Sequence, residues 1–147
     1  MFKPWHERHS RESYVESDAD EQLIVHIPFT SDVTLKSICI IAATGEEHPS
    51  KMLAFKNRED VDFDNADAMR PDQEWALNED PEGSHPYETL IAKFNGLRNI
   101  NLYFPENFGG EKTKIYFIGL RGQSRNVNRR TIISIAGEFL LVVRGEL

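Results

Sequence analysis

Cross-linking sulfur is all but missing from this chain. Cys39 is the single cysteine of 147 residues, so no disulfide can close within it and a reducing compartment is expected. No apolar run approaches the length of a membrane-crossing helix. The N-terminal stretch Met1-Phe-Lys-Pro-Trp-His-Glu-Arg8 lacks the apolar centre of a signal peptide. No Asn-x-Ser/Thr glycosylation acceptor occurs. These absences point to the cytosol or nucleus and away from membranes. Positive charge is also scarce. Against 24 acidic residues stand 17 basic ones, a net charge of −7. That balance repels phosphate backbones and makes nucleic acid a poor partner. It favours basic partners, or solubility alone. Helical periodicity is lacking as well.

What is present is alternation. At 147 residues the chain is long enough for one domain with a real core. Residues 1–13 read as a flexible polar arm, pinned by Trp5, and 14–147 as the domain. Leu23, Val25, Ile27 and Phe29 fall at period two, so they share one face of a strand from Gln22 to Phe29. A second strand spans Thr34 to Ile41. Leu35, Cys39 and Ile41 share one of its faces and Ile38 and Ile40 the other, as in a strand covered on both sides. Lys51 to Phe55 makes a third. The acidic stretch from Arg58 to Ala68 is expected to anchor through Val61 and Phe63. Gln73 to Leu77 is a short strand with Trp75 and Leu77 inward. Tyr87 to Phe94 and Leu97 to Phe104 flank Asn95-Gly96, whose residue types suit a type I′ hairpin turn. Ile100, Leu102 and Phe104 point inward there, and Asn99, Asn101 and Tyr103 away. Lys114 to Leu120 follows. Leu23, Val25, Ile27, Ile100, Leu102, Phe104, Ile115 and Phe117 form the expected core. Many short strands between Gly, Pro, Asn and Asp turns mean an all-β sandwich or jelly roll.

Chemistry-bearing groups are scattered. His6 and His9 lie three apart in the arm with no third ligand nearby, so no zinc site is read there. His26, His48 and His85 read as structural. Asp18, Asp20 and Glu21 form an acidic lip before the first long strand. The lip lacks the glycine and spaced ligands of a calcium loop. It suits a partner contact and a strand-capping hydrogen-bond network about equally. Cys39 sits in an apolar strand, where a thiol is inert. No nucleophile elbow surrounds Ser10, Ser13, Ser17 or Ser124, and no phosphate-binding glycine loop occurs. The loop Asn107, Phe108, Gly109 and Gly110 joins two strands at one sandwich end, where binding usually lives. Phe108 is either an exposed anchor or a core cap. Arg121, Arg125, Arg129 and Arg130 make a basic stretch, either a solvated loop or a contact for an acidic patch. No metal, no cofactor and no catalytic constellation is expected.

An ordered series of motifs carries a resemblance. Glu16-Ser-Asp-Ala-Asp-Glu-Gln-Leu23 opens it, and His48-Pro49 and Pro71-Asp-Gln73 follow. Asn107-Phe-Gly-Gly-Glu-Lys-Thr113 then leads into Ile115-Tyr-Phe-Ile-Gly-Leu-Arg-Gly122. Upstream stands Phe2-Lys-Pro-Trp-His-Glu-Arg8. To about Thr131 the chain resembles the PITH domain, the proteasome-interacting domain found at the C-terminus of a thioredoxin-like protein and in stand-alone relatives. The resemblance implies a galactose-binding-domain-like jelly roll and a non-enzymatic adaptor that associates with the regulatory particle of the proteasome. It implies no metal at the lip. The Cys-x-x-Cys of the thioredoxin-like relative has no counterpart here. A lectin-like module binding carbohydrate or another ligand is the alternative for such a fold. The chain departs from the pattern at both ends, so the domain is expected to be incomplete there. It begins at the Phe-Lys-Pro-Trp stretch, and the apolar run Phe139 to Val143 replaces the family's polar continuation and tail. Such a run without a partner strand would be an aggregation hazard.

Overall fold

The computed structural model describes residues 14–124, 130–134 and 140–144. The arm of residues 1–13, with Trp5, His6 and His9, lies outside them, as do Arg125, Arg129 and Phe139. Nine strands follow one another: β1 (Val15–Glu16), β2 (Leu23–Ala42), β3 (Lys51–Lys56), β4 (Gln73–Ala76), β5 (Tyr87–Glu88), β6 (Leu97–Phe104), β7 (Lys114–Ser124), β8 (Arg130–Ser134) and β9 (Leu140–Arg144). A single 3-10 turn, Gly45–Glu47, is the helical element among the described residues. The chain is therefore all-β, as its alternation requires.

The sandwich turns on β2. A straight strand of its 20 residues would reach about 66 Å, longer than a domain of this size. It changes partner midway instead. Leu23 to Pro28 pair with β6, and Val33 to Ala42 pair with β7. The register shifts between Pro28 and Val33, where the change occurs. Hydrogen bonding runs in the order β4-β3-β6-β2-β7-β9-β8, with β1 on β7 and β5 on β2. Because both halves of β2 share one core, this path doubles back into two layers. Leu23, Val25 and Ile27 of the first half meet Ile38, Ile40 and Ala42 of the second. Met52, Ala54, Ile100, Leu102 and Phe104 complete one wall, and Ile115, Ile118 and Leu120 the other. This is the galactose-binding-like jelly-roll sandwich expected from the sequence.

Both layers are also covered outside. Leu53, Phe55 and Tyr103 pack under Val61 and Ala66 of the acidic loop. Phe63 is 52% exposed, so Ala66, not Phe63, joins Val61 as the anchor. Asn101 and Tyr103 point away from the main core as expected, yet both are buried beneath this loop. Cys39, Ile41 and Phe117 form a third cluster on the outside of the other layer.

Two bulges correct the facing of the strands. Leu35 pairs with Gly122 and Ser37 with Arg121, so Lys36 is the extra residue. The parity of β2 flips there. Leu35 thus shares the inner core with Ile38 and Ile40, not the outer face with Cys39 and Ile41. On β7 a second shift skips Tyr116, between the pairs Ile41–Phe117 and Ala42–Ile115. Ile115 lies in the main core, and Phe117 is buried in the outer cluster instead.

The expected hairpin at Asn95-Gly96 does not form. Tyr87–Glu88 pairs with β2, and β6 takes β2 and β3 as neighbours. Phe94 N–H donates to the carbonyls of Leu90 and Ile91, and Asn95 Nδ2 reaches back to Ile91 and Ala92. The segment is a helical turn that Asn95 closes. A type I′ turn needs two positive φ angles. Gly96 has one, at 64°, but Asn57 is the sole non-glycine in that region among the described residues. The apolar C-terminal run is not unpaired either: β9 lies parallel to β7 and antiparallel to β8.

Leu102 is fully buried between both layers. Leu102→Ala should therefore destabilise the fold by about 2–5 kcal/mol in denaturant unfolding. An unchanged midpoint would remove Leu102 from the core.

Candidate functional site

The acidic lip and the Asn107 to Gly110 loop, 86 or more residues apart in sequence, are one structural unit. Ser17 and Thr113 clasp them together, and both side chains are buried. Ser17 N–H donates to Thr113 O at 3.0 Å, and Thr113 N–H donates to Ser17 Oγ at 2.9 Å. Ser17 Oγ also donates to Asp20 O. Thr113 Oγ1 donates to Glu21 O at 2.7 Å and accepts from Asn107 Nδ2 at 3.2 Å. Asn107 closes its own loop, since Nδ2 donates to Lys112 O and Oδ1 accepts from Gly109 N–H. Asp20 Oδ1 accepts the N–H of Gln22 at 2.9 Å, capping the start of β2. Of the lip carboxylates, Asp20 thus has a local structural bond, while Asp18 faces solvent.

The loop rests on a third segment, the 3-10 turn and His48-Pro49. Gly110 N–H donates to Glu46 O at 3.0 Å, and Phe108 N–H to His48 O at 3.2 Å. A Cβ on Gly110 would lie 2.9 Å from Glu46 O, so glycine is needed for this approach. Phe108 is 50% exposed and its ring centroid stands 6.0 Å from that of His48. It is neither a core cap nor a free tip. It is an exposed aromatic on a base that other residues hold still. His48 beneath it is buried, and its Nδ1 donates to Pro49 O at 2.7 Å. Burial lowers the His48 pKa, although the Pro49 bond and the charges of Glu79 and Asp80 act the other way. His48 Nε2 has no hydrogen-bond partner.

The lip also meets the acidic loop. Tyr103 OH donates to Asp67 Oδ1 at 2.9 Å. Burial first, then Asp67, and then the charges of Asp20 and Glu21, push this phenol's pKa upward. Asp67 of the acidic loop is the carboxylate bonded to this buried tyrosine. Among the described residues no three His, Cys, Asp or Glu side chains are grouped to hold a metal ion. His26 proves to be a sheet residue, its Nδ1 2.5 Å from Asn101 Oδ1. Asn101 Nδ2 donates to Phe55 O and Arg58 O, which leaves Oδ1 to accept. Cys39 is buried, as its apolar strand suggested. Of the basic stretch, Arg121 and Arg130 lie in strands, and the register sets Arg144 opposite both. Ser17, Thr113 and Tyr103 were not singled out as site residues from the sequence. Nothing local marks a serine or threonine whose partner is about a hundred residues away.

The family whose model matches is described as PITH domain, over residues 1–138. This chain belongs to the PITH domain family. PITH domain-containing protein GA19395 of Drosophila pseudoobscura pseudoobscura is 45% identical over 123 residues, covering 84% of this chain and 58% of the relative. PITH domain-containing protein 1 of Dictyostelium discoideum is 43% identical over 135 residues, 92% of this chain and 67% of that protein. The human PITH domain-containing protein 1 is 41% identical over 132 residues, 90% of this chain and 62% of that protein. The chain thus spans roughly three fifths of the length of these curated PITH relatives. The run from Phe139 onward, which departs from the motif series, falls beyond the PITH match.

Two expected outcomes follow from the clasp and its base. Thr113→Val keeps shape but leaves Glu21 O and Asn107 Nδ2 without this partner. It should destabilise the domain by about 1–3 kcal/mol in thermal or urea unfolding, and a neutral result would dismiss the clasp. For His48 the folded pKa lies below the ordinary 6.5. The unfolded chain therefore takes up the proton first as pH falls. The contribution is complete above about pH 6.5 and is lost as pH drops from there toward the folded value. His48→Asn should flatten the fall in melting temperature over this window. An equally steep fall in the variant would place the pH dependence elsewhere.

Proposed function

We propose that this PITH domain is a non-enzymatic adaptor of the cytosol and nucleus that docks on the proteasome, at its regulatory particle. What the family resemblance implies about partners supports the partner. The observation that carries the docking mode is Phe108, half exposed on a loop immobilised by Asn107, Gly110 and the Ser17–Thr113 clasp. An aromatic held in one position loses little entropy on contact, which is how an interface anchor gains affinity. Asp18, Asp20 and Glu21 supply a charged rim beside it, which acts chiefly on association rate and salt dependence. The chemistry asked of the site is contact alone, with no bond made or broken.

Affinity capture of proteasomes from cell extract tests the reading. The parent chain should retain regulatory-particle subunits. Phe108→Ala should lose most of the capture while melting close to the parent, because half of the ring is already in water. Full capture by the folded variant would move the contact elsewhere, and absence of proteasome from the parent's capture would end the reading.

A further inference from the structure

A second surface adjoins the lip. A groove of about 560 Å³ opens between the start of β1 and the start of β2. Tyr14, Leu23, Ile24 and Phe63 supply its apolar lining, and Asp18 and Asp20 line it as well. Tyr14 is 43% exposed, although Tyr116 meets its ring edge-on, and Phe63 is 52% exposed. Phe63 is also the residue that failed to anchor the acidic loop, because Ala66 fills that place. The sequence spends an aromatic on the groove's edge instead.

Charge selects what would fill it. Glu16 at one end is balanced by Lys112 and Lys114, each 3.9 Å away, and Lys114 stands 4.5 Å from the Tyr14 ring centroid. Asp18 and Asp20 of the lining have no ion-pair partner among the described residues. Both are exposed, and Asp20 accepts the N–H of Gln22. Among the described residues no trio of carboxylates or other ligands is grouped for a metal. A cation on a flexible side chain can pair with the two carboxylates without a coordination shell.

We propose that this groove binds a cationic peptide segment of a partner protein, with an apolar side chain seated between Tyr14 and Phe63 and lysine or arginine facing Asp18 and Asp20. The inference rests on the adaptor reading in naming the chemistry of what the lip meets. It does not depend on the proteasome or on Phe108.

The test uses the full chain and a fluorescent nine-residue peptide alternating lysine with leucine, read by anisotropy. A glutamate–leucine peptide of equal length serves as control. The lysine peptide should bind and the glutamate peptide should not. Phe63→Ser, at an exposed position, should weaken binding about tenfold with the melting temperature retained. Asp18→Lys should weaken it at least about fivefold and reduce its salt dependence. Glu88→Lys changes net charge equally on an exposed strand outside the groove and should leave affinity as it was. Equal loss in Glu88→Lys and Asp18→Lys would mean diffuse attraction to an acidic protein and would overturn the proposal. So would unchanged binding by Phe63→Ser, or no binding by the parent. A parent dimer that Phe63→Ser converts to monomer would assign the groove to a second copy and overturn it too. Peptide binding with failed proteasome capture would sink the partner named above and spare the groove. Capture that needs Phe108 without peptide binding would do the reverse.

Discussion

One strand serving two sheets is the constraint on which the rest of this PITH domain depends. β2 gives its first half to β6 and its second to β7. β2 is the longest of the described strands, and both of its halves line the core. The bend sets the distance between layers, and the bulge at Lys36 then decides which side chains fill it. Leu35 enters the core through that single extra residue. Everything at the lip end follows, because the first residue of β2, Leu23, must start where the Ser17–Thr113 clasp releases the chain.

The alternating runs were legible because their physics is local. Leu23, Val25 and Ile27, or Ile100, Leu102 and Phe104, need only the two-residue period of a strand to reveal a buried face. The errors came where a distant partner overrides that period. Bulges at Lys36 and Tyr116 depend on what β2 and β7 offer each other, so Leu35 and Phe117 were assigned to the wrong sides. Asn95-Gly96 has hairpin chemistry, but β6 was already flanked by β2 and β3, and the same asparagine closes a helical turn equally well. At the candidate site, Phe108 and the lip carboxylates stood out by exposure-prone residue type. The clasp that joins them did not, since it is built of backbone groups and two small hydroxyls.

The lip is built on a hydrogen-bond network. Its backbone belongs to the fold: Ser17, Asp20 O and Glu21 O are all engaged in hydrogen bonds within the clasp. Its charge does not. Asp18 adds nothing to the network, and Asp18, Asp20 and Glu21 have no ion-pair partner among the described residues. A hydrogen-bonded frame carrying carboxylates without ion-pair partners keeps a charged surface in fixed geometry.

The central claim is that lip, Phe108 loop and His48 turn form one rigid end. Native-state hydrogen exchange tests it most directly, on the amides of Ser17, Phe108, Gly110 and Thr113, all of which lie outside the strands yet donate hydrogen bonds. The account predicts that all four exchange slowly and with similar opening free energies, close to those of the neighbouring strand amides. Rapid exchange at rates typical of an open loop, or four unrelated opening energies, would contradict it.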